Sequence, residues 1–141
     1  MAKTKERSTK EVSFDGITLN FSKSPEVYKF LQNNDFVQGL MGPVGSGKSY
    51  ACCAKIFIKA LEQTASPIDN VRYSRWAVVR NSYPMLKTTT IKTWLDLFPE
   101  GTFGPMLWTP PITHHIRLPA KGDAAGIDCE VIFLALDQPK D

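Results

Sequence analysis

GLMGPVGSGKSYACCAKIFIKAL, residues 39–61, is the stretch on which the reading of this chain turns. Its first part, Gly42-Pro43-Val44-Gly45-Ser46-Gly47-Lys48-Ser49, packs three glycines, two serines and a lysine into eight positions, and the residues after it are almost entirely apolar. The apolar part predicts a helix from about residue 47 to 63. Lys55, Lys59, Glu62 and Gln63 form a narrow polar stripe on it, and most of the remaining positions are expected to be buried. Upstream, DFVQGLMG (35–42) reads as a strand running into the glycines. Strand, glycine loop and helix in this order complete the pattern GxxxxGK[ST].

Each part of that pattern suits a polyphosphate. Glycine lets the backbone curl around an anion without a Cβ in the way. Successive amide N–H groups then point inward as an anion nest, and the helix beyond adds the positive end of its dipole. Lys48 is placed to meet the β and γ phosphates as a point charge, and the Ser49 hydroxyl is short enough to ligate Mg²⁺. Residues 42–49 are therefore the candidate nucleotide site, with ATP and Mg²⁺ as the expected ligands. A coincidental glycine turn is the alternative.

On the N-terminal side, SFDGITLNF (13–21) reads as a short hairpin or edge strand because Asp15-Gly16 is a turn signal. SPEVYKFLQNN (24–34) reads as a helix capped by Ser24, with Pro25 at its first position and Glu26 at the positive end of the dipole. Downstream, RWAVVR (75–80) has the continuous apolar character of a parallel strand covered on both faces. A second amphipathic helix ending near Pro99 carries Ile91, Trp94, Leu95 and Phe98 on one stripe, and Thr88, Thr89 and Thr90 weaken its first turn. THHIRL (113–118) and CEVIFLAL (129–136) predict two antiparallel strands around a long turn, the second central in the sheet. The βαβα order behind the glycine loop points to an α/β, three-layer P-loop NTPase sandwich with a mainly parallel sheet and an antiparallel hairpin near the C-terminus. Residues 1–12 are expected to be a disordered basic tail, and 13–141 to fold.

The net charge of +3 sits in that tail. Lys3, Lys5, Arg7 and Lys10 oppose Glu6 alone, and the remaining residues hold 13 basic and 13 acidic side chains. The tail's basic excess suits either contact with nucleic acid or a solvated start to the chain. No apolar run is long enough to span a membrane. Cys52, Cys53 and Cys129 are odd in number and lack metal spacing, which points to free thiols in a reducing compartment. Cys52 and Cys53, early in an apolar helix, read as small hydrophobes. His114 and His115 are adjacent on a predicted strand, point to opposite faces and cannot chelate one metal together. Trp94 and Trp108 have the chemistry to stack on bases, but Trp94 lies on the apolar stripe of its helix and is read as core.

Taken together, FVQGLMGPVGSGKS (36–49), RWAVVRNSYPMLKTTTIKTWLDLFP (75–99), HHIRLP (114–119) and CEVIFLALDQPKD (129–141) resemble the large subunit of a tailed-phage terminase. The resemblance implies an ATPase that drives double-stranded DNA into a procapsid, acting with a portal protein, a small terminase subunit and further copies of itself in a ring. It places the chain in the host cytoplasm, at the portal vertex, with no membrane partner. It also implies a second, ribonuclease-H-like nuclease domain, and an acidic strand with a water-positioning Glu beyond Asp141. On that basis the chain is expected to be an N-terminal piece, with residues 13–141 the N-terminal part of an incomplete ATPase domain, inactive by itself in hydrolysis.

Two further residues have open readings. Arg80 closes a strand on the side where the phosphate loop emerges, and motors of this type need a guanidinium to neutralise transition-state charge. It is a candidate catalytic residue beside Lys48, or an ordinary partner of Asp96 or Glu100. Asp137 is a metal-side carboxylate or the close of a strand. Two other classes use the same loop. A small-molecule or nucleoside kinase would need an Arg-rich lid, and Arg117 is the sole arginine in the last third. A nucleotide-binding fragment without catalysis would need nothing more.

Overall fold

A computed structural model describes residues 11–14, 17–20, 25–42 and 47–137. The basic residues of the tail, the Asp15-Gly16 turn, the Ser24 cap, Pro43 to Ser46 of the glycine loop and the last four residues lie outside the described residues. The chain divides into two compact units, Met1–Ala51 and Cys52–Asp141.

In the first unit, β1 (Glu11–Phe14) and β2 (Ile17–Asn20) pair antiparallel, from Glu11 opposite Asn20 to Phe14 opposite Ile17. This is the expected hairpin, and it begins two residues inside the stretch read as tail. Helix α1 (Pro25–Gln32) comes next, with Pro25 at its first position and Val27 and Leu31 buried one turn apart. The strand expected over residues 35–42 does not form. At its start, side chains bond the backbone instead: the Asp35 N–H donates to Asn33 Oδ1 (2.8 Å), and Gln38 Nε2 donates to the carbonyls of Asn33 (2.9 Å) and Asp35 (2.8 Å). Phe36, Val37 and Met41 stand exposed. The fourteen-residue helix α2 (Lys48–Leu61) opens in this unit and is shorter at both ends than its periodicity predicts.

The second unit is built on a four-stranded sheet. Its elements are β3 (Val71–Arg80), α3 (Tyr83–Met85), a π-helical turn (Leu86–Thr90), α4 (Ile91–Leu97), α5 (Glu100–Phe103), β4 (Met106–Leu107), β5 (Ile112–Leu118) and β6 (Gly126–Ala135). The strand order is β3-β6-β5-β4. Only β3 and β6 run parallel, from Val71 opposite Gly126 to Arg80 opposite Ala135; β6 with β5 and β5 with β4 are antiparallel. The expectation of a mainly parallel, three-layer P-loop sandwich is therefore wrong. The strand expected before the glycine loop does not form to join this sheet, and β4, β5 and β6 run as a meander rather than through further βαβ crossovers.

The sheet is covered on one face. Ile112, His114 and Ile116 of β5 and Ile127, Cys129, Val131 and Phe133 of β6 are buried there, with Trp94 of α4 on His114 and Phe133 and with α5 against β5. Trp94 packs against Phe98 (ring centroids 4.4 Å apart) and Phe133 (5.7 Å), and Phe57 against Phe98 (5.0 Å) and Phe103 (5.9 Å). The other face remains open. Tyr73, Val79 and Leu134 are 56%, 50% and 41% exposed, so β3 alternates like a half-solvated strand and is not covered on both sides as its composition suggests. β6 is central, as expected, and its polar residues Asp128 and Glu130 lie on the open face.

Gly126 shows why β6 starts where it does. A Cβ there would lie 2.6 Å from the Leu118 carbonyl oxygen and 2.7 Å from the Ala120 nitrogen, both backbone atoms. Its N–H donates to the Asn70 carbonyl, joining the mouth of the β5–β6 hairpin to the start of β3. The threonine run of the second amphipathic segment becomes the π-helical turn. Thr88 Oγ1 donates to the Pro84 carbonyl (2.8 Å) and Thr89 Oγ1 to that of Met85 (2.6 Å), pulling hydroxyls onto carbonyls of the preceding turn where β-branched side chains already crowd it.

Candidate functional site

The described part of the glycine loop consists of Gly42 and Gly47 to Ser49. Gly47 has a φ of +83°, a left-handed conformation that glycine adopts without strain, and it delivers the chain into α2. The helix is engaged at once, since the Ala51 N–H donates to the Gly47 carbonyl (2.8 Å). The first-turn N–H groups have no acceptor within the helix itself, which makes this end an anion-facing one. Lys48 Nζ donates to the Gly42 carbonyl, across the width of the loop. Ser49 is exposed on the first helical turn. An ammonium, a hydroxyl and first-turn amides are the donor set a Mg²⁺-bound polyphosphate requires, so the residues present fit ATP and Mg²⁺. A phosphate arriving there would compete for Lys48 with the Gly42 carbonyl. Pro43, Val44, Gly45 and Ser46, the middle of the expected cradle, lie outside the described residues.

The other candidates belong to the second unit. Arg80 ends β3 with its Nε atom buried and, among the described residues, without a hydrogen-bond partner, while Nη2 lies 3.9 Å from Met85 Sδ. No ion pair to Asp96 or Glu100 forms among the described residues; Glu100 Oε1 instead accepts from the Met106 N–H (3.0 Å). Asp137 is engaged structurally: Oδ1 accepts from the Tyr83 N–H (2.7 Å), and its own N–H donates to the Asn81 carbonyl (3.2 Å). With Ser82 Oγ accepting from the Met85 N–H, it caps the start of α3. That is the strand-closing reading, with the carboxylate turned to the backbone.

The histidines separate as adjacent strand residues must. His115 meets Asp128 on the open face, beside Arg117. His114 is fully buried on the covered face. Among the described residues no group of three or more His, Cys, Asp or Glu side chains is placed to hold a metal ion. Of the thiols, Cys52 is exposed and Cys53 and Cys129 are buried, so of the adjacent pair only Cys53 packs as a small hydrophobe. Burial pushes the Cys53 thiol up to about 12 and that of Cys129 to about 11. Trp94 is core, as expected, while Trp108 is 47% exposed.

Sequence reasoning missed the bond between Trp94 and His114. Trp94 Nε1 donates to His114 Nδ1 (2.8 Å) across twenty residues. The signal lies in β5: Ile112, His114 and Ile116 occupy alternate positions, which places the imidazole in an apolar layer where both ring nitrogens need partners.

No helix among the described residues is long and apolar enough to cross a membrane. Comparisons with protein-family models, with curated proteins and with solved structures find no match.

Proposed function

We propose that this chain binds Mg–ATP through residues 42–49 and serves as the ATP-binding part of a DNA-packaging motor of the terminase kind. The observation that carries the reading is the uninterrupted motif from Gly42 to Ser49 with its lysine at the first position of a fourteen-residue helix. In this reading Lys48 leaves the Gly42 carbonyl for the β and γ phosphates, Ser49 contributes a ligand to Mg²⁺, and the amides of the loop and first helical turn hold the remaining charge. Arg80, whose buried Nε lacks an acceptor among the described residues, is the guanidinium available to an anion near the end of β3. Double-stranded DNA, a portal ring, a small terminase subunit and further copies of the chain are the partners this reading requires.

A second reading, nucleotide binding without hydrolysis, is favoured by Asp137, whose carboxylate is taken up by the Tyr83 amide. One experiment addresses both readings. Fluorescent ATP is titrated into the chain with Mg²⁺, and phosphate release is followed in the same samples. Saturable binding that weakens about tenfold to a hundredfold in Lys48→Ala is expected, since a charge-assisted contact contributes about 1.5–3 kcal/mol. Unchanged affinity in that variant would overturn the site assignment. Binding without turnover is what both readings expect of this chain, whereas phosphate release would exclude the second.

A further inference from the structure

We propose that His114 is an acid-sensitive latch that holds helix α4 to the sheet while its imidazole is neutral and releases it on protonation. Both ring nitrogens are committed. Nδ1 accepts from the Trp94 indole N–H (2.8 Å), and Nε2 lies 2.9 Å from the Gly104 carbonyl oxygen. An indole N–H only donates and a carbonyl only accepts, so the pair of bonds selects the neutral imidazole with its proton on Nε2. A second proton has one place to go, Nδ1, where it would face the indole N–H donor to donor. The ring is fully buried, and a buried donor without an acceptor is costly.

The latch spans the second unit's two layers. Trp94 is the central side chain of α4, edge-on to His114 and packed on Phe98 and Phe133, and Gly104 stands just after α5 at a φ of +94°. Losing the indole bond would therefore loosen α4 and the segment leading to β4 together.

Loss of solvent outweighs what the neighbouring groups offer the cation. From α5, Glu100 is the one carboxylate that favours it, and that side chain already accepts from the Met106 N–H. α4 turns Trp94 inward while its Lys92 and Asp96 are exposed. β4 offers Met106, and β6 offers Cys129, Val131 and Phe133, the thiol staying neutral throughout. Of the other charged groups of the sheet, Arg75, His115, Arg117, Asp128 and Glu130 lie on its opposite face, and Arg72 and Arg80 share the face of His114 but stand on β3, two strands away. Desolvation accordingly lowers the affinity of His114 for a proton below the ordinary histidine value. A depressed folded-state value means that the stabilisation is complete above the unfolded value of about 6.5 and is lost as pH falls from there through the folded value.

The test uses the whole chain and its two histidines. Nitrogen-detected NMR of the imidazoles should show one ring locked as the Nε2–H tautomer at neutral pH, unresponsive until well below about pH 6.5. The thermal midpoint, read by tryptophan fluorescence, should fall by roughly 5 °C more between about pH 7.5 and pH 5 in the wild type than in His114→Gln, whose amide keeps an acceptor for Trp94 and a donor for Gly104. Equal pH dependence in the two proteins would overturn the proposal. So would a buried imidazole that titrates at or above about 6.5, a reading from the wild type alone that holds even where the variant fails to fold.

Discussion

The segment around the glycine loop and the sheet-bearing unit obey the same local rules, and they differ in what holds them together. Around the loop, the chemistry is local. The motif is contiguous, Gly47 adopts its positive φ, and Lys48 opens a helix, yet the apolar residues before it, Phe36, Val37 and Met41, are exposed. In the sheet unit no contiguous motif exists, yet residues far apart in sequence close a dense aromatic core from Phe57, Trp94, Phe98, Phe103 and Phe133. A binding motif needs only neighbouring backbone amides and a side chain or two. A core needs partners delivered by the fold.

That contrast is open to attack by substitution. The largest expected effect is that of Trp94→Ala, which empties the centre of the core and orphans His114 Nδ1. It should destabilise the chain by about 3–5 kcal/mol in urea unfolding, whereas Lys48→Ala should change stability by less than about 0.5 kcal/mol. If the two variants unfolded alike, the distinction between a local site and a cooperative core would fail.

Gly126→Ala comes next. Its Cβ would meet backbone at 2.6 and 2.7 Å with no side chain to move aside, and a loss of about 1–3 kcal/mol is expected. A neutral result would mean that the β5–β6 hairpin is looser than its register implies. The smallest effect belongs to Asp137→Ala, which removes the cap on the Tyr83 N–H at an exposed position. It should cost about 0.5–1 kcal/mol in thermal unfolding and leave ATP affinity unchanged. A selective loss of Mg²⁺-dependent ATP binding in this variant would return Asp137 to the metal-side role.

Much of the sheet unit is nonetheless legible in the sequence. The β5–β6 hairpin, the central place of β6, the stripe of Ile91, Trp94, Leu95 and Phe98, of which Leu95 alone is half-buried, and the divergence of His114 from His115 all arise from period-2 or period-3.6 patterns, because a side chain's direction is set by its own backbone. The errors have a different origin. RWAVVR is apolar enough for a strand buried twice over, but burial depends on what lies across each face, and Ala77 and Val79 stay exposed on theirs. DFVQGLMG has a strand's composition, but a strand exists only where another pairs with it, and here the Asn33 and Gln38 side chains take up the N–H and carbonyl of Asp35. Three consecutive threonines predict a weakened helical turn, and the hydroxyl bonds of Thr88 to Pro84 and of Thr89 to Met85 accompany a widened turn instead.

By itself the sequence determined that residues 42–49 carry the GxxxxGK[ST] pattern, that a helix follows it, and that His114 and His115 point to opposite faces of their strand. These depend on bond geometry and on residues a turn apart. Only the tertiary structure decided that β3 pairs with β6 and runs parallel to it and that Trp94 finds His114. Those outcomes rest on contacts between residues twenty to fifty-five positions apart, whose free energy depends on every other element that must close at the same time.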